Sequence, residues 1–224
     1  MMGVVVLVVI VLVVVAVLAV VAVVEGLSGL GCANRVIQTP SRHWRAYLAA
    51  GAPAALVVAG RGFRAVAVPM IGQKLGLPLD STLRTMMLAT VVELPCFLPL
   101  SWVAGKFGRR TVFAPAVGLV ALCWAALSRA RSASSFRLAA CALGFASGMT
   151  SGFVTLIGQD YAPGDDLPAY FAPWETLMRA AQMAGPVFAH MLATRCSPEV
   201  ASISASAATA AAACWYGVLG PSTE

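Results

Sequence analysis

Long apolar runs recur along the whole chain, and short gaps between them hold most of its charge. The first 24 residues contain no charge at all, and 14 of them are valine. At about 1.5 Å per residue such a run makes about 36 Å of helix, enough to cross a bilayer. Six further apolar spans follow, approximately 46–71, 82–104, 111–128, 136–157, 174–194 and 199–220. Turn residues punctuate the gaps, among them Gly76 with Pro78, Gly105 with Gly108, Pro163 with Gly164, and Ser197 with Pro198. The pattern predicts an all-α, polytopic membrane helix bundle of about seven transmembrane helices, integral and multi-pass. Three parts are expected: a leading valine-rich helix at 1–25, a basic linker at 26–45, and a six-helix unit at 46–220.

Composition excludes the soluble alternatives. The 224 residues are 60% hydrophobic and only 11% charged, more apolar surface than a water-soluble fold of this length hides. The 15 basic residues, which against 9 acidic ones give a net charge of +6, are scattered through the whole chain, most of them in the short gaps between spans. Basic loops beside spans set orientation and meet anionic lipid, so membrane lipid is an expected partner. No basic stripe with interleaved aromatics is present, and no nucleic-acid partner is expected. Arg35, Arg42 and Arg45, with Lys106, Arg109 and Arg110, put linker 26–45 and loop 105–110 on the cytoplasmic side. Loop 72–81 then faces the opposite side. Of six cysteines, Cys96, Cys123, Cys141 and Cys214 fall inside apolar spans, where a thiol packs as a small hydrophobe. Cys32 and Cys196 lie near loops. Neither a C-x-x-C pair nor Cys/His ligand spacing occurs, so no metal and no cofactor is expected. The chain also lacks a nucleophile–base constellation, and it is not expected to be an enzyme.

Charges within the spans carry the functional expectation. Glu93 lies mid-span, and an intramembrane carboxylate is costly unless paired, protonated or facing water. The plainer alternative is a protonated acid hydrogen-bonded inside the bundle. Arg61 and Arg64 are three residues apart and share one helix face. With the span ending near 71, Arg64 is placed about 10 Å deep and Glu93 about 16 Å, within reach of two long side chains. Snorkelling of both guanidinium groups toward the interface is the competing account. Gly144, Gly148 and Gly152 repeat every four residues and predict a smooth ridge for close helix approach. Pro95, Pro99 and Pro186 each remove a helix hydrogen bond and predict kinks.

The stretch from Ser101 to Arg110, SWVAGKFGRR, resembles the loop signature G-x-x-x-D-R-x-G-R-R of the major facilitator superfamily. Gly108, Arg109 and Arg110 match it, while Ser101 replaces its first glycine and Gly105 its aspartate. Arg61, Arg64, Pro69 and Leu75-Gly-Leu-Pro-Leu79 resemble elements around that family's seventh helix. Glu93 stands where many relatives carry an acid in the eighth. The glycines at 144, 148 and 152 resemble the tenth helix; Asp160-Tyr-Ala-Pro163, Trp174 and Gly185-Pro186 resemble the region of the eleventh. The family's arginine and glycine after the D-x-x-P element would fall at Leu167 and Pro168.

The resemblance covers about residues 42–220 and implies the carboxy-terminal half of a twelve-helix transporter. It further implies secondary transport of a small solute by alternating access, with protons as the candidate coupling ion. Glu93, Arg64 and Arg61 would serve transport and coupling; Gly108, Arg109, Arg110 and Asp160 would serve the loop gate. Gly144, Gly148, Gly152, Gly185 and Pro186 would pack helices. Since one half supplies half of a cavity, the expected partner is a separate amino-terminal half or a second copy. The alternative is a non-transporting membrane protein, a truncated or degenerate transporter product, and the lost aspartate and arginine point that way.

Overall fold

A computed structural model describes residues 47–162 and 167–219, except the side chains of 97–101, 109, 110, 153, 169 and 219. The expected leading span 1–25 and the linker 26–45 lie outside the described residues. Every described element is helical. A π-helical turn, Tyr47–Gly51, runs straight into α1, Ala52–Lys74. Helix α2, Leu79–Glu93, gives way to a 3-10 turn, Leu94–Cys96, before α3, Phe97–Phe107. Then come α4, Arg109–Ser128, and α5, Ala133–Tyr161. Last are α6, Leu167–Arg195, and α7, Pro198–Leu219.

Local chemistry explains the joints. Pro95 has no N–H to give the carbonyl of Val91, and the α2–α3 rod changes pitch there. The Cys96 thiol donates to Val92 O at 3.2 Å across the break. Gly76, at φ 69°, turns the chain after α1, where Leu77 N donates to Gly72 O at 3.0 Å. Ser132 and Ser135 form a reciprocal capping box at the start of α5. Ser206 Oγ of α7 reaches the Ala121 carbonyl of α4 at 2.8 Å, tying two helices through a hydroxyl.

Three helical segments, Tyr47–Lys74, Thr111–Ser128 and Ala133–Tyr161, are long and apolar enough to cross a membrane. The remaining rods fall short of that measure for identifiable reasons. The break divides the second expected span into pieces of 15 and 11 residues. Helix α6 carries Glu175, Arg179, Gln182 and His190, and α7 is rich in alanine and serine.

With α2 and α3 counted as one, six rods turn back on one another through short connections. Rod one packs chiefly against rod five, and rod four against rod two. Rods three and six pack together; rod six also meets rod one, as rod three meets rod four. Exchanging the first three rods with the last three therefore preserves the main pairings. Successive rods alternate in direction, so equivalent rods run oppositely. The bundle is an inverted repeat of three plus three.

Two apolar clusters fill its interior. One includes Tyr47, Tyr170, Trp174 and Tyr216; the other includes Phe63, Trp124, Leu127 and Phe136. The first is closed by aromatic contact, with the Tyr47 hydroxyl donating to Tyr170 O at 2.7 Å. The Tyr47 and Tyr170 rings lie 5.0 Å apart.

Candidate functional site

The two clusters are separated by a polar waist. On α1, the first cluster stops at Ala59 and the second begins at Phe63; Arg61 lies between them. On α5, the second cluster ends at Ala146 and the first resumes at Val154, leaving Ser147 and Thr150 in the gap. These polar groups meet. Arg61 Nη2 donates to Thr150 Oγ1 at 3.1 Å and to Ser147 O at 3.3 Å. Arg64, one turn along α1, donates from Nη2 to Glu93 Oε2 at 2.7 Å. The two side chains of that ion pair are 20% and 14% exposed, and both are screened by α1, α2 and α5 rather than by solvent.

Helix α1 continues to Lys74, beyond the expected span end near 71. Arg64 lies about 15 Å and Arg61 about 20 Å from that end, and Glu93 about 21 Å from the start of α2. All three are therefore near the middle of their rods. Glu93 is the last residue of α2, where the rod passes into the 3-10 turn, so its carboxylate meets Arg64 at the break. A small cleft beside Arg64 is lined by Val68, Met86, Ala89, Thr90 and Ala140. Arg61 Nε and Arg64 Nη1 are buried and have no hydrogen-bond partner. Chemically, the waist holds two cations against one carboxylate, and protonating Glu93 would release Arg64.

Glycines let the rods close around this waist. A Cβ on Gly144 would collide with Ala89 O, and one on Gly148 with Glu93 O. At Gly152, the third of the expected ridge, no described residue of another helix lies within 4 Å of the Cβ position. At the equivalent crossing of α1 with α6, a Cβ on Gly185 would meet Ala59 O. Gly62 there faces Gln182 O and the ring of Pro186. Sequence reading missed Gly62, Ser147 and Thr150. The signal for Gly62 was a glycine beside an intramembrane arginine; Ser147 and Thr150 carry none.

The loop residues stand apart from the waist. Gly108, at φ 84°, joins α3 to α4, and Arg109 and Arg110 open α4. Asp160 lies in the last turn of α5, at the same end of the bundle, about 15 Å along the helix from Thr150. Gly105 has open space around its Cβ position. Lys106 Nζ lies 3.9 Å over the Trp102 ring. No cluster of three or more metal-ligating side chains occurs among the described residues. Compared with known protein families, curated proteins and solved structures, the chain matches none of them.

Proposed function

We propose that this chain is a transporter unit that moves a small solute across a membrane by alternating access, coupled to protons through Glu93. In this reading all six rods cross the bilayer, and the unit works with a second one, a separate amino-terminal half or another copy. The observation that carries it is the Arg64–Glu93 pair at mid-depth, set at a break in a helix. Secondary transporters build their sites at the midplane, where inverted repeats meet and helices are interrupted. The major-facilitator resemblance adds the loop pattern at 101–110. Helices α2 and α6, equivalent in the repeat, leave Met87, Val91, Met183 and Val187 more than 60% exposed, apolar surface suited to a second unit or to lipid.

Mechanistically, a proton on Glu93 neutralises the carboxylate and frees Arg64, which shifts the balance between two packings of α1 against α2. The test is solute-evoked proton movement into vesicles holding the purified protein and a pH-sensitive dye, challenged with mixed small metabolites. Proton entry that Glu93→Gln abolishes supports the reading. Absence of any solute-evoked movement, with protein folded in the vesicles, leaves the non-transporting alternative, favoured by Gly105 in place of the motif's aspartate.

A further inference from the structure

We propose that the Arg61–Arg64 face binds a small oxyanion, a carboxylate or phosphate group on an organic molecule. The inference rests on the transport reading only in calling that anion the cargo. Charge balance comes first. The waist contains two guanidinium groups and one carboxylate, and the carboxylate is bonded to Arg64. The partners of Arg61 are a carbonyl and a hydroxyl, both neutral. Other acids are engaged elsewhere: Asp80 with Arg84, Glu175 with Arg179, and Glu199 with Lys74. Asp160 sits at the end of α5. Among the described residues one positive charge thus stays uncompensated near the middle of the bundle, where charge is costly.

Hydrogen bonding points the same way. Arg61 Nε and Arg64 Nη1 are buried donors without acceptors, an expensive state for N–H groups. An oxyanion supplies what is missing here, a negative charge and acceptor oxygens of the kind a guanidinium binds best. A halide supplies the charge without the oxygens. The cleft beside Arg64 is small, about 30 Å³ or the room of one to two waters, so an anion reaches the guanidinium only by parting its walls, Val68, Met86, Ala89 and Ala140. Glu93 competes with the anion for Arg64. Protonation of Glu93 removes the competitor, so proton and anion binding are positively linked, as cotransport of an acid with its proton requires.

Binding is measured on the full chain in discs of zwitterionic lipid, in low-salt zwitterionic buffer, with acetate, benzoate and inorganic phosphate as probes. The readouts are calorimetry and the thermal unfolding midpoint. At least one oxyanion should bind saturably, chloride at equal ionic strength should not, and affinity should rise as pH falls. Arg61→Gln should weaken binding at least tenfold, and Glu93→Gln should tighten it severalfold and flatten its pH dependence. Should Arg61→Gln fail to fold, Arg61→Lys keeps the charge without the fork and should bind at least threefold more weakly. Whether acetate and benzoate or phosphate binds identifies the head group. No saturable effect from any of the three probes overturns the inference, as does unchanged affinity in a folded Arg61 variant. Saturable binding without proton movement keeps the anion site and removes the transport reading. Proton movement evoked only by uncharged solutes does the reverse.

Discussion

The α1–α6 and α5–α2 crossings occupy equivalent places in the inverted repeat, yet their chemistry differs. Both depend on glycines that admit a neighbouring backbone: Gly62 and Gly185 at the first, Gly144 and Gly148 at the second. At the first, Ala59 and Phe63 belong to the apolar clusters, and Pro186 fills the remaining space. At the second, the residue under Gly148 is Glu93, which begins the break and holds Arg64. One architectural element thus serves as a dry joint and, repeated, as a charged one. Close approach alone does not make a site; the helix break and the carboxylate at the second crossing do.

Breaking the dry joint should have the largest effect. Gly185→Val drives a branched side chain into the backbone of Ala59, which has no room to move, at a cost above about 3 kcal/mol. Monodisperse protein should be lost on size-exclusion chromatography in detergent. If Gly185→Val stays monodisperse, the two crossings are not comparably tight. At the charged crossing, Arg64→Ala strands Glu93 in the bundle, and a double-mutant cycle with Glu93→Gln should give a coupling of about 1–3 kcal/mol in thermal unfolding. Strict additivity would show two independent charges and erase the contrast. At the Lys74–Glu199 pair, 50% and 35% exposed, Lys74→Ala should cost less than about 1 kcal/mol, and salt should shrink the difference. Gly152→Ala, just past the charged crossing, should change stability by less than about 0.5 kcal/mol; a Gly148-like penalty would extend the crossing beyond the break.

Much of the waist was legible along the chain. Arg61 and Arg64 share a face by their spacing alone, and Glu93 stands out because carboxylates are rare in apolar runs. Their pairing was within reach of depth arithmetic, although α1 runs further than its hydropathy suggests. The partners of Arg61 were not legible. Ser147 and Thr150 are 86 and 89 residues away, within a glycine-rich segment that reads as simple packing. Gly152 continues the same periodicity yet meets none of the described residues of another helix, because periodicity describes one helix and a crossing needs two.

Residue order alone was enough to read helical, largely apolar rods and to single out Arg61, Arg64 and Glu93 as charges within them. Those properties follow from local residue chemistry: apolar runs require internally satisfied backbone, and glycine, proline and serine set where helices stop. The tertiary structure decided which rods pair, that the pairing repeats in inverted order, and that Arg61 is left with neutral partners and an unused donor. Such facts depend on how backbones separated by most of the chain approach one another. The approach is set by small residues on two helices together, and neither helix encodes it alone.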